Sequence, residues 1–476
     1  MTKKRIYSIF AMLILLAAFT ACGRSTQEEH PTIPSEYLPV PPSEPVIPIE
    51  SGNNRFRGLN GASDGFVTDF DFGESQFPAV HITTAYHIID RHVRIPGSIS
   101  VNNVDEAFQL ADTPMRIHGR GNSSWNYMDK KPFRIRFSEP IAMLDAGHAA
   151  RDWTFIPNHS DKALMRNYSA YYMASLLNGM SYAPFARFVD VYFNGEYQGV
   201  YMLCVQLNEI SEGRIHLTYD ADPALSEYLI ELNRRVHYDP QNIEGLHFLR
   251  MHGHGRYYHI RWPTEDRPNE NALTTAHANY LRDFLDQIDR LIYRRDAAVF
   301  NYICKASFVD FYIVQEIYKN YDISSLSVWM QIRGQGNERR LEKGPVWDFD
   351  IAAGNCYYQD RNNHRGGYGP TGIWAGYMNR WFRYLLQMPE FRTAVAQRLD
   401  YVNENALPQT IARINHMATQ YQPSFERNFV RWPIMGVYIW PNPQSVVEID
   451  TFMGQVDYLT DFLQSRTAWL IAYFNR

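Results

Sequence analysis

Two apolar runs joined by Asn194-Gly195 constrain this chain more than any other feature. Phe188-Val189-Asp190-Val191-Tyr192-Phe193 leads into the dipeptide, and Tyr197-Gln198-Gly199-Val200-Tyr201-Met202-Leu203 leaves it. Asn and Gly tolerate the positive φ angles of a tight turn, so the spacing predicts a β-hairpin. Further strand signals lie upstream. Residues 77–84 alternate after Pro78, and Phe133-Arg134-Ile135-Arg136-Phe137 alternates strictly, apolar one way and Arg the other. Helical spacing interrupts at 162–178, where Leu164, Tyr168, Tyr172 and Leu176 recur every fourth residue. After about residue 270 helices dominate: 271–295, 307–320 with Ser307 as its cap, 380–400 and 446–475. The pattern predicts an α+β body with a sheet-rich half (about 65–235) and a helical half (about 236–476), an arrangement that can hold a cleft between them.

Composition narrows the function classes. With 45% hydrophobic and 14% aromatic residues in 476, the chain can build a large core. Its 46 basic and 51 acidic residues give a net charge of -5, which offers no overall positive field and argues against a nucleic-acid partner. Four cysteines without a C-x-x-C pair exclude a disulfide scaffold and a zinc ribbon, and Cys204, Cys304 and Cys356 read as mostly buried thiols.

The N-terminus reads as an address. Lys3, Lys4 and Arg5 precede an apolar run, Ile6 to Ala18, that is short for a membrane span. Leu16-Ala17-Ala18-Phe19-Thr20-Ala21-Cys22 resembles a bacterial lipobox, which would make 1–21 a signal and Cys22 the lipidated mature N-terminus. An ordinary cleaved signal with an incidental cysteine is the other reading. Residues 23–55 carry seven prolines, at 31, 34, 39, 41, 42, 45 and 48, and read as an extended tether.

Three segments could carry chemistry. In Gly344-Pro345-Val346-Trp347-Asp348-Phe349-Asp350, the alternation predicts both carboxylates on one face of an extended segment, anchored by the aromatics. Two like charges so placed suit a hard divalent cation such as Mg²⁺ or Mn²⁺; two solvated acids on an edge strand are the alternative. Asp322, after Tyr318-Lys319-Asn320-Tyr321, leaves an apolar helix either as a catalytic base or as a turn residue. Arg116-Ile117-His118-Gly119-Arg120-Gly121-Asn122-Ser123-Ser124-Trp125 precedes Lys130-Lys131 and the basic strand 133–137. A Gly-rich turn leading into a basic strand rather than a helix can cradle phosphate, or be a hairpin with exposed cations. The Walker pattern, the G-x-S-x-G elbow and H-E-x-x-H are all absent. His252 and His254, flanked by glycines, read as a loop sooner than as metal ligands.

In this order, the segments at 120–125, 130–137, 194–201, 228–232, 320–322 and 344–350 resemble the CotH kinase family over about 77–400. The resemblance implies an atypical, two-lobed, protein-kinase-like fold that uses ATP with Mg²⁺ or Mn²⁺ to phosphorylate secreted or surface proteins. Asp348 and Asp350 would bind metal, Asp350 standing where the kinase D-F-G has Gly. Asp322 would be the catalytic aspartate, and Arg120, Gly121, Asn122, Ser123 and Lys131 (Lys130 less so) would hold the nucleotide. Glu231 would orient a basic residue or metal. Two positions depart from relatives or kinases: Val205 where relatives often carry Glu, and Ser327 where kinases carry a metal-binding Asn. On strand parity, Lys131 shares the inward series of Phe133 and Ile135. The expectation is therefore an extracytoplasmic, lipid-anchored kinase-like enzyme acting on a protein acceptor. The rival is a non-catalytic surface lipoprotein whose aromatics grip glycan or matrix protein.

Overall fold

The computed structural model describes residues 77–475 except 87, 89, 208–214, 252–255, 264–272 and 360–365. The expected signal at 1–21, Cys22, the expected tether at 23–55, His252 and His254 lie outside the described residues. None of the described helices is long and apolar enough to cross a membrane.

Seven strands close into a barrel in the order β1-β2-β3-β4-β5-β7-β6. They are β1 (Ala79–Thr84), β2 (Ile95–Asn102), β3 (Leu110–Gly119), β4 (Phe133–Ile141), β5 (Ala150–Ile156), β6 (Arg187–Phe193) and β7 (Glu196–Val205). Neighbours are antiparallel except at the seam, where β1 runs parallel to β6 with Ala79 opposite Asp190. Period two decides the filling: Val80 and Ile82, Ile99 and Val101, Ile117, Ile135 and Phe137, Trp153 and Phe155, Val189 and Val191, and Tyr201 and Leu203 form one buried cluster.

The hairpin spans β6 and β7, and Asn194 (φ 49°) and Gly195 (φ 85°) take the left-handed turn angles expected of them. Its near-continuous apolarity has a cause. One face fills the barrel, while Phe188, Val200, Met202 and Cys204 on the other join the core shared with the helices. On β4, Arg134 and Arg136 point outward to one buried acid on β5, Asp152, at 2.9 and 2.7 Å.

A second sheet has the order β12-β11-β8-β10-β9, from β8 (Tyr228–Leu232), β9 (Phe248–Arg250), β10 (Tyr257–Trp262), β11 (Val328–Arg333) and β12 (Arg340–Lys343). The α+β class is as expected, but the expected change of texture near 235 is not a boundary. Strands from both sides of it share this sheet, because β8 pairs with β11 about a hundred residues later.

The helices fall near their predicted places, at Arg166–Ser175, Thr275–Arg294, Lys305–Ile317 and Phe452–Phe474. The span expected at 380–400 is two helices, Arg380–Leu385 and Pro389–Tyr401, the second opening on a proline that suits a first turn. Ser307 is not the cap of its helix. Lys305–Ile317 begins two residues earlier, and Ser307 Oγ donates to the Cys304 carbonyl at 2.9 Å. Cys204 and Cys356 are buried free thiols and Cys304 is half-buried.

Candidate active site

The Lys305–Ile317 helix is buried from Ser307 to Ile317, which makes it a rigid post. Lys319 leaves it in a left-handed conformation (φ 49°), and its ammonium donates to the carbonyls of Gly367, Gly369 and Thr371. The chain then forms the one-turn element Tyr321–Ser324, which carries Asp322. Asn320 ties this turn to the second acidic segment. Its Oδ1 accepts from the Asp322 backbone N–H at 3.1 Å, and its Nδ2 donates to the Asp348 carbonyl at 3.1 Å.

Residues 344–349 form no strand, so strand alternation is not what places Asp348 and Asp350. Asp348 sits at φ 67°, an uncommon angle for a residue with a Cβ and one that functional sites often hold. Buried partners hold the segment in place. Trp347 stacks on Tyr171 at 5.5 Å, Phe349 meets the edge of Tyr318, and the Phe349 N–H donates to Asn167 Oδ1 at 2.6 Å. Farther along, Arg166, paired with Asp161 at 2.5 Å, donates to the Ala352 carbonyl at 3.0 Å. Asn355 Nδ2 donates to the Asp350 carbonyl at 2.7 Å. The aromatics anchor the acids as expected, through turn geometry rather than pleat.

The three aspartates repel one another. Burial, and then the Asp348 charge, push the Asp322 carboxyl from 3.8 up to about 7, against the lowering effect of Arg235 and Arg234. Burial, then Asp348 and Asp322, raise Asp350 well above the usual carboxylate range. Asp348 is steadied by Ser327, whose Oγ donates to Asp348 Oδ2 at 2.9 Å.

A cleft brings Asp348 and Asp350 against Arg120, Ser124, Asn158 and His159. Arg120 is half-buried; desolvation lowers its pKa, and the Asp348 charge is the main influence opposing that. Gly121 makes the turn at φ 81°, and a Cβ there would lie 2.2 Å from Ser124 Oγ. Asn122 accepts from Arg91, and Arg235 Nη2 lies 3.5 Å from Ser123 Oγ. Contrary to expectation, a single-turn helix, Ser123–Tyr127, separates the Gly-rich turn from β4.

That insertion also overturns the reading of the lysines. Residues 128–132 are turn and coil, so the parity of β4 does not extend back to them. Lys130 is the buried one. Its Nζ donates to Pro157 O at 3.0 Å, to Asn428 Oδ1 at 2.8 Å and to the Val200 carbonyl, and burial drives its pKa well below the usual lysine value. Lys131 is half-buried and donates to the Trp125 carbonyl at 2.7 Å. Neither lysine lines the cleft; the basic group that does is Arg120.

Glu231 does orient a basic residue, accepting from Arg261 Nε at 2.7 Å on the second sheet, but it is not among the cleft residues. Val205 is buried at the end of β7, opposite Trp153. Sequence reasoning missed His159, Asn167, Arg234 and Arg235. His159 is held neutral, its pKa lowered to about 4 by burial and then by Lys130. Arg234-Arg235 two residues after Leu232 was the available signal for a basic flank.

No three His, Cys, Asp or Glu side chains among the described residues are grouped so as to hold a metal by themselves. The donor set here, the hard carboxylates of Asp348 and Asp350 in one cleft, fits an ion of the Mg²⁺ kind, which takes one or two protein carboxylates and completes its shell with water and phosphate oxygens.

No curated protein matched the chain. The sequence model described as CotH kinase protein matches residues 117–470, a span that holds the Gly-rich turn, Asp322, Ser327 and both cleft aspartates. With most of its length so matched, the chain belongs to the CotH kinase family.

Proposed function

We propose that this protein transfers the γ-phosphoryl group of ATP to a hydroxyl of a surface or secreted protein, on a two-lobed kinase-like frame whose walls are the barrel side and the helical side of the cleft. The observation that carries the reading is the convergence of Asp322, Asp348 and Asp350, from two segments, in a site where burial and mutual repulsion raise the proton affinity of two of them. Such repulsion is relieved by a cation, and perturbed carboxylates in a cleft are a mark of function.

Asp348 and Asp350 would hold Mg²⁺ or Mn²⁺, which when bound neutralises charge on the phosphate oxygens. Ser327 holds one oxygen of the Asp348 carboxylate in place. Arg120, with the turn through Gly121, Asn122 and Ser123, would take the phosphates. Asp322, with a pKa near neutrality, is suited to accept the proton of the acceptor hydroxyl. The work of these residues is positioning and charge neutralisation. Lipidation at Cys22 and the proline-rich tether would place the domain at the outer face of a bacterial membrane.

Calorimetric titration with ATP, run with and without Mg²⁺ or Mn²⁺, tests the reading together with radiolabel transfer to a protein acceptor. Metal-dependent binding and transfer are expected, and loss of transfer in Asp348→Ala. Neither binding nor transfer by the wild type would leave the non-catalytic surface-binding role. That role has its own support in Tyr127, 67% exposed, beside Trp440 at 5.7 Å, an aromatic pair of the kind that stacks on sugars.

A further inference from the structure

A second cavity, of about 400 Å³, is lined by Arg234, Arg256, Arg380, Arg383, Tyr257 and Ser325. Four arginines around one space are unusual in a chain of net charge -5. Their charges are poorly answered. Arg256 has Arg383 and Arg380 as like-charged neighbours, and its guanidinium donates to the Met378 carbonyl at 3.4 Å. Arg383 donates to the Tyr377 carbonyl at 2.7 Å and lies over the Tyr377 ring. Arg380 approaches Asp289 only to 4.0 Å, and its buried Nε has no hydrogen-bond partner among the described residues. No carboxylate among the described residues forms an ion pair with Arg234, Arg256 or Arg383.

The cavity adjoins the catalytic turn. Ser325, in its wall, donates its N–H to the Asp322 carbonyl at 3.0 Å and accepts the Arg234 N–H at 2.9 Å. Arg234 lies close enough to Asp322 to lower its pKa, so one residue faces both places. A group held in the cavity is therefore near a hydroxyl presented to Asp322. Guanidinium forks match carboxylates in bidentate geometry, and four of them exceed what one carboxylate needs.

We propose that this arginine-lined cavity receives acidic side chains of the acceptor protein, so that the hydroxyl chosen is one flanked by Asp or Glu. The proposal rests on the phosphotransfer reading for its meaning, but the binding it asserts is measurable without ATP.

The probe is a labelled serine peptide flanked by Glu and Asp, compared with the same peptide carrying Gln and Asn. Binding to the full chain is read by fluorescence anisotropy at two salt concentrations, for wild type, Arg256→Gln and Arg383→Gln, with melting temperatures as a folding control. The acidic peptide should bind at least about tenfold tighter than the neutral one, either substitution should remove most of that margin, and salt should weaken it. With Mg²⁺–ATP the acidic peptide should be the better acceptor, and Arg383→Gln should leave transfer to the neutral peptide unchanged. Equal binding of the two peptides, or a margin that survives both substitutions in folded protein, overturns the proposal. Competition by inorganic phosphate that is tighter than the peptide overturns it too, and makes the occupant a free anion. Acidic-peptide binding without any transfer would sink the kinase reading and leave the cavity as assigned. Transfer without acidic preference would do the reverse.

Discussion

Asp322→Asn should stabilise the protein at pH 8 while abolishing transfer. The carboxyl has a folded-state pKa of about 7 against 3.8 in the unfolded chain, first through burial and then through the Asp348 charge. Below pH 4 both states hold the proton, and the residue contributes no penalty. Between pH 4 and 7 the unfolded chain ionises while the folded one keeps its proton, so stability falls as pH rises; above 7 the full penalty is present. At about 1.4 kcal/mol per pH unit, the rise from 3.8 amounts to about 4 kcal/mol, an upper limit because the side chain is half-buried and partly screened. Asn keeps the shape, cannot ionise, and leaves intact the backbone N–H bond to Asn320. Over the roughly 370 described residues, an unfolding entropy of about 2 cal/mol/K per residue converts that limit to about 5 °C. Calorimetric scans of metal-free wild type and Asp322→Asn at pH 5 and pH 8 give the test. The variant should melt higher at pH 8, and the gap should shrink towards pH 5. A variant that melts lower than wild type at pH 8 would mean that the carboxylate is bonded rather than repelled, and the reasoning from burial and charge would be wrong. Retained phosphoryl transfer would instead remove Asp322 from the reaction.

Ser327→Ala should weaken Mg²⁺-dependent ATP binding by about tenfold, since the Asp348 carboxylate loses its 2.9 Å donor and its fixed orientation, and calorimetry with and without metal reads this directly. Lys130→Met should destabilise the fold by roughly 2–4 kcal/mol because three oxygens lose a donor inside the core, whereas Lys131→Ala should cost under about 1 kcal/mol; urea unfolding at pH 7 compares them. Arg120→Gln should raise the Kd for Mg²⁺–ATP more than Lys131→Ala does, as Arg120 lines the cleft and Lys131 does not. Intact-mass analysis of membrane-extracted protein should show Cys22 acylated and N-terminal; an unmodified Cys22 would remove the proposed anchor.

What the sequence alone determined here is local. Asn194-Gly195 fixes a turn because only a few residues accept two successive left-handed angles, and the alternation in 133–137 fixes which side chains fill the barrel because a strand has no other way to sort them. The burial of Trp347 and Phe349 beside two acids was legible for the same reason: large apolar surface leaves water wherever the chain allows it. What only the tertiary structure decided depends on partners far away in the chain. Lys130 rather than Lys131 is buried because Asn428, nearly 300 residues on, supplies one of its acceptors, while the intervening turn cancels strand parity. The barrel closes through β1 and β6, more than a hundred residues apart, a pairing that no local pattern announces. Asp322 acquires its raised pKa from burial and then from Asp348, and its basic flank from Arg234 and Arg235 on the loop after β8. Charge and burial are properties of an environment, and that environment exists only once the chain has brought these segments together.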